Sequence, residues 1–155
     1  QQYPEVFKVL VRKEINRLKR KASRMNMLPM VRMNGTSDKR WELFMPEIFL
    51  EYPEVQFYDY TKIPNRKLGN IQNYDLSFSY SGVKAYQPMV AKALKKNMRL
   101  AVVFRSKDNQ PKTFLGRKVI NGDMTDIRPY DPQGVIVALY AKGDAIHDKT
   151  GFVVD

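Results

Sequence analysis

The 155-residue chain has no cysteine, so no disulfide, thiolate metal site or cysteine nucleophile can form within it. Histidine is almost as scarce. His147 stands alone, which excludes a multi-histidine metal triad and a two-histidine mechanism built from these residues. Long apolar runs are missing as well: no stretch approaches the roughly 20 apolar residues that span a bilayer, and no apolar signal-like segment opens the chain. Internal repeats, linkers and low-complexity tracts are not discernible. The chain opens Gln1-Gln2 and not with Met, so upstream residues are expected to have been removed or to lie outside this sequence.

Positive charge is abundant. Lys and Arg number 27 against 16 Asp and Glu, a net charge of +11, which favours polyanionic partners such as nucleic acid, nucleotides or an anionic membrane surface. Hydrophobic content of 43% with 28% charged residues is that of a globular domain. A chain of this length buries about two thirds of its unfolded surface and needs no covalent staple.

Much of the charge sits at one end. Residues 1–26 read as a basic amphipathic helix. Phe7, Val11, Leu18, Ala22 and Met25 recur at helical spacing, and Lys8, Arg12, Lys13, Arg17, Lys19, Arg20, Lys21 and Arg24 occupy the rest of the circumference, opposed only by Glu5 and Glu14. Residues 27–155 read as the sheet-forming core of the same single domain. Strands are expected at Met30–Met33, Val55–Tyr58, Tyr74–Ser79, Leu100–Phe104 and Gly134–Tyr140, with a hairpin arm or edge strand at Thr113–Ile120. Two short helical pieces divided at Pro46, and a helix over Gln87–Lys96, lie between them. Strands alternating with helices predict an α/β fold: a partial half-barrel or an open, mainly parallel sheet with flanking helices and a C-terminal hairpin.

In parallel α/β sheets ligands sit beyond the carboxyl ends of the strands. Phosphate or nucleic-acid contacts are therefore expected from Lys13, Arg17, Arg20 and Arg24 on the helix, and from Arg32, Asn34, Gly35, Ser37, Asp59, Thr61, Lys62, Arg105 and Lys142 at strand ends. Ser37 or Asp38 is placed to cap the following helix. Tyr58, Tyr60, Tyr74 and Tyr80 could stack bases or fill the core. Asp123, Asp126 and Arg128 are candidate catalytic residues, and the paired carboxylates among them could hold Mg²⁺ against a phosphate. The alternative there is a turn whose carboxylates, with Asp131, pair with Arg128. Ser79 or Ser81 with His147 and Asp144 could be assembled into a triad, but no nucleophile-elbow motif supports one.

Three stretches carry a resemblance: Val31-Arg32-Met33-Asn34-Gly35-Thr36-Ser37-Asp38 with Trp41-Glu42, Phe57-Tyr58-Asp59-Tyr60-Thr61-Lys62, and Asn73-Tyr74-Asp75-Leu76-Ser77-Phe78-Ser79. With Ala101–Phe104, Gly122–Arg128, Asp131-Pro132 and Ala141-Lys142-Gly143 they resemble a family of uncharacterised bacteriophage gene products over about residues 30–155. Related members resemble a radical-SAM-like half-barrel with a cysteine-rich N-terminal segment, which these residues do not contain. No iron–sulfur cluster, other cofactor or resident metal is expected. The resemblance implies a phage protein with a half-barrel, and the absence of cysteine, compatible with a reducing compartment, makes the host-cell cytoplasm the expected location. The leading expectation is an accessory protein that binds nucleic acid or nucleotide phosphates. A metal-assisted enzyme of a phosphate-containing small molecule and a protein that binds a host factor are the rivals.

Overall fold

The computed structural model describes residues 4–108 and 110–155. They form an open, mainly parallel sheet with helices beside it. The strands are β1 (Met30–Arg32), β2 (Gln56–Thr61), β3 (Tyr74–Ser79), β4 (Leu100–Phe104), β5 (Thr113–Phe114), β6 (Arg117–Asn121), β7 (Ile136–Tyr140) and β8 (Val153–Val154). The order is β1-β2-β3-β4-β7-β6-β5, with β8 also paired to β4. Of the two architectures left open by the sequence, the sheet is the open one and does not close into a barrel.

The fold divides into two compact units. One comprises the described residues up to Asp59 together with Lys67–Asp75. The other comprises Tyr60–Arg66 and Leu76–Asp155. In the first, α1 (Pro4–Arg24) presents Phe7, Val11, Ile15, Leu18 and Ala22 along one face, with Ile15 and Ala22 buried. Met25 is 56% exposed and lies outside the stripe, while Ile15, absent from the expected stripe, is its centre. Phe7 meets the rings of Trp41 and Phe44 at 6.0 and 6.2 Å. These rings belong to α2 (Trp41–Phe44), which α3 (Glu47–Glu51) follows after Pro46, the residue at its N-cap. The two-piece expectation holds because proline cannot continue the first helix. The expected cap by Ser37 or Asp38 does not form: the α2 N-cap position is Arg40.

β1 and β2 run parallel, with Val31 opposite Phe57. Asp59, Tyr60 and Thr61, expected in the loop after β2, belong to the strand itself. Phe49, Phe57 and Tyr74 form the aromatic centre of this unit, with Phe49 stacked on Tyr74 at 4.6 Å. Asn73 Nδ2 reaches the carbonyls of Phe49, Tyr52 and Val55, which ties the turn after α3 to the base of β3.

In the second unit, β3, β4, β7 and β6 lie side by side and parallel, and β5 closes an antiparallel hairpin on β6. Leu115 and Gly116, at φ 51° and 73°, make the hairpin turn. β4 and β7 are near-continuous apolar runs, as strands covered on both faces require. Val90 and Ala93 of α4 (Gln87–Lys95) pack with Leu100, Val102, Phe104, Ile136 and Ala138. Arg117 caps α4, donating to the carbonyls of Leu94 and Met98 at 2.6 and 2.7 Å. β3 pairs with the start of β4 only, at Leu100 and Ala101, and β8 takes over the same edge at Val103 and Phe104.

Candidate functional site

Cations on α1 are divided by side. Toward α3, Arg12 grips Glu51 bidentately, through Nε at 2.7 Å and Nη2 at 2.8 Å. Lys8 lies 3.3 Å from Glu5 and 3.9 Å from Glu47, and Lys19 pairs with Glu54. The hydrogen bonds from Arg12 hold the Glu51 carboxyl below its ordinary range, and that from Lys19 does the same to Glu54. Arg12 is correspondingly raised, chiefly by its bond to Glu51.

The outward side is different. Lys13, Arg17, Arg20, Lys21 and Arg24 are all exposed, and their only carboxylate neighbour among the described residues is Glu14, 3.9 Å from Arg17. Lys13, Arg17, Arg20 and Arg24 follow one another at steps of four, three and four residues. They form a single stripe about 16 Å long at the α-helical rise. An open concavity of about 590 Å³ is bounded by Lys19, Arg20, Ser23 and Arg24.

The loop after β1 is fixed from within its own unit. Asp59 is fully buried and accepts from the Asn34 backbone N–H at 2.7 Å, Asn34 Nδ2 at 2.9 Å and the Tyr74 hydroxyl at 2.6 Å. Asn34 Oδ1 in turn accepts from Ser37 Oγ, Lys39 N and Trp41 Nε1. Arg32 folds back onto the carbonyls of Asn34 and Gly35, at 3.0 and 3.2 Å. Of the expected phosphate ligands, Asn34 and Asp59 are buried partners of one another that shape the loop, while Ser37 is exposed and donates to Asn34. Gly35 remains exposed at the loop surface.

In the second unit, two expected cations are also turned to the backbone. Lys62 Nζ donates to Ser79 O at 2.9 Å, Ser79 Oγ at 3.1 Å and Tyr80 O at 3.3 Å. It stands above the rings of Tyr86 and Phe152. Arg105 donates to Ile146 O at 2.6 Å and Asp148 O at 2.9 Å and pairs with Asp155. Thr61 is buried, and its hydroxyl accepts from the Ile63 N–H at 3.0 Å. These residues staple strand ends to loops. Ser81 is buried with its hydroxyl accepting from Val83 N, and Ser79 Oγ accepts from Lys62. Tyr58, Tyr74 and Tyr80 are core residues.

The Asp123, Asp126 and Arg128 grouping separates. Arg128 is fully buried. Its Nη2 donates to Gly122 O at 2.9 Å, and its Nη1 lies 3.1 Å from Asp131 Oδ2, an ion pair too oblique to count as a hydrogen bond. Gly122 has no room for a side chain: a Cβ there would sit 2.3 Å from Val137 Cγ1 and 2.8 Å from Arg128 Nη1. Asp126 is exposed. Asp123 instead meets two ammoniums, Lys107 at 3.3 Å and Lys142 at 3.4 Å, both on Oδ2. Among the described residues no group of three His, Asp or Glu is disposed to hold a metal ion.

Lys107 is the residue that sequence reasoning missed. It lies in the strand-end segment Arg105-Ser106-Lys107, but the expectation fell on Arg105. Tyr140 and Gln110 were missed with it. The Lys107 ammonium stands 5.1 Å from the centre of the Tyr140 ring, and the Tyr140 hydroxyl donates to Gln110 Oε1. Burial raises the Tyr140 phenol above its ordinary value, an effect that Lys107 opposes.

Residues 1–155 match the family described as Gene product 88, in agreement with the expected kinship with bacteriophage gene products. No curated protein and no solved structure matches the chain. No helix among the described residues is long and apolar enough to cross a membrane.

Proposed function

Because the chain belongs to the gene product 88 family, we propose that it is a phage accessory protein that binds nucleic acid along the outward stripe of α1, in the host-cell cytoplasm. One observation carries this reading. Glu47, Glu51 and Glu54 neutralise the cations on the side of the helix that meets α3 and the turn after it, while Lys13, Arg17, Arg20, Lys21 and Arg24 stand exposed together. A stripe of evenly spaced cations releases condensed counterions when it meets a phosphate backbone, and this supplies affinity without base readout. The strand-end loops contribute less to the reading, since Arg32, Lys62 and Arg105 already donate to backbone carbonyls.

A metal-assisted reaction has less to stand on, because Asp123 is turned to lysines and Asp126 lies apart from any carboxylate group suited to a metal. The donor set, which has no thiolate, does not fit an iron–sulfur cluster.

The test is fluorescence anisotropy with labelled duplex and single-stranded oligonucleotides between about 50 and 200 mM salt, a range over which a protein making several phosphate contacts loses orders of magnitude in affinity. The logarithm of affinity should fall linearly with the logarithm of salt. In the quadruple variant Lys13→Ala, Arg17→Ala, Arg20→Ala, Arg24→Ala the slope should become shallower by roughly three to four. Binding that ignores salt, or that the quadruple variant leaves intact, overturns the reading.

A further inference from the structure

We propose that Lys107 and Lys142 form a clamp for a phosphate monoester, held shut in the free protein by Asp123 acting as a built-in competitor. The inference is independent of α1 and concerns a site confined to the second unit.

The first argument is position. β7 is inserted between β4 and β6, and all three strands run parallel. Lys107, Asp123 and Lys142 follow β4, β6 and β7 within three residues of the strand ends. Three segments distant in sequence are thereby set side by side at the carboxyl ends of neighbouring parallel strands, the position at which open α/β sheets take up ligands. A random surface ion pair has no reason to recruit one member from each of three adjacent strands.

The second argument concerns what is fixed and what is free. The Asp123 side chain is only 13% exposed. Its backbone N–H donates to Asn121 Oδ1 at 2.9 Å, and the preceding Gly122 is pressed against Val137 and Arg128. The framework therefore sets where the carboxylate stands. The two lysine side chains are 62% and 76% exposed, converge on Oδ2 alone, and leave their outer sides open to solvent. The two ammoniums share one carboxylate oxygen, and solvent meets their other donors. Two positive charges face one negative charge, so the cluster carries a net positive charge that an anion can meet by displacing water.

The third argument is chemical fit. A phosphate monoester carries close to two negative charges at neutral pH and three terminal oxygens. It can give each ammonium an oxygen of its own, which the carboxylate oxygen cannot, and charge-assisted bonds of that kind are the strong ones. The buried Tyr140 ring under Lys107 keeps water from one side of the site. Arg128 is committed to Gly122 and Asp131 and does not add a competing cation. The same terminal phosphate could come from free nucleotide or from the 5′ end of a nucleic acid.

The competitor role gives the proposal a distinctive sign. Inorganic phosphate and AMP are titrated by calorimetry into the full chain and its variants. Asp123→Asn should tighten both about three- to tenfold, since the rival charge is removed while shape is kept. Lys107→Ala and Lys142→Ala should each weaken both by about tenfold, and Lys142→Arg should restore much of the loss. To separate the sources, 5′-phosphorylated and 5′-hydroxyl oligonucleotides are compared on the α1 quadruple variant, whose polyanion stripe is gone. Preference for the 5′-phosphate identifies a nucleic-acid end as a ligand. AMP binding without that preference restricts the clamp to free nucleotide. A weakened or unchanged phosphate affinity in Asp123→Asn, with an unaltered circular dichroism spectrum, overturns the proposal, as does failure of every phosphate to bind. Loss of salt-dependent binding in the quadruple variant alone bears on α1 and leaves this site standing.

Discussion

On α1 the cations are sorted by side. Those facing α3 meet Glu47, Glu51 and Glu54, and those facing outward meet solvent. In the second unit they are sorted by depth. Arg128 is sealed in the core with Asp131, Lys62 and Arg105 are folded onto carbonyls, and Lys107 and Lys142 remain at the surface around one carboxylate. Equal formal charges thus do three different jobs. Net charge of +11 describes the chain but does not say which cations a partner can reach. Availability is decided by which acceptors the fold brings near each side chain.

The sharpest way to break that distinction is at the buried pair. Asp131→Ala strips Arg128 of its counter-ion in a site with almost no solvent, and an uncompensated buried charge should cost about 3 kcal/mol. Urea denaturation measures it, and a loss below about 1 kcal/mol would show that Arg128 does not depend on Asp131. A middle-sized effect separates stapling from presented cations. Arg105→Ala removes two bonds to the carbonyls of Ile146 and Asp148 and should lower stability by about 1–2 kcal/mol. Arg20→Ala, on the exposed stripe, should stay within about 0.5 kcal/mol. If the two variants unfold alike, the division between them fails.

The smallest effect is a dependence on pH. Glu51 and Glu54 are held below the ordinary carboxylate range by their bonds from Arg12 and Lys19. A carboxylate with a depressed folded-state value stabilises the fold fully above its unfolded value, near pH 4.3, and loses that contribution as pH falls through the folded value. Thermal melts from neutral pH downward should therefore decline more steeply in the native chain than in Glu51→Gln. Because both side chains are over a third exposed, the difference will be small and will shrink further in salt.

Much of the fold was legible because the apolar runs of β4 and β7 and the helical stripes of α1 and α4 are local signals. Periodicity read each of them within a few residues. What it could not read is set at long range. The local pattern ends β2 at Tyr58, with Asp59 in the loop that follows, yet Asn34 and Tyr74 provide the donors that let Asp59 sit inside the strand. Likewise, the place of β7 between β4 and β6 depends on pairing that no local pattern encodes. The site was legible in part for the same reason. Lys142 is legible from its position after a strand, and Asp123 only as a member of the carboxylate group around Arg128. The choice between Arg105 and Lys107 turned on carbonyls at Ile146 and Asp148, brought up by a distant segment.

The insertion of β7 has a consequence for synthesis. β4 leaves the ribosome with an apolar face on each side, but its neighbour along one entire edge is encoded only after the stretch 105–135. Translation itself sets how long that edge stays bare, and a bare apolar strand is an invitation to foreign chains. Arg105, Lys107 and Asp108, which follow β4 directly, are charged, the kind of residue that natural sequences place beside unavoidable apolar strands.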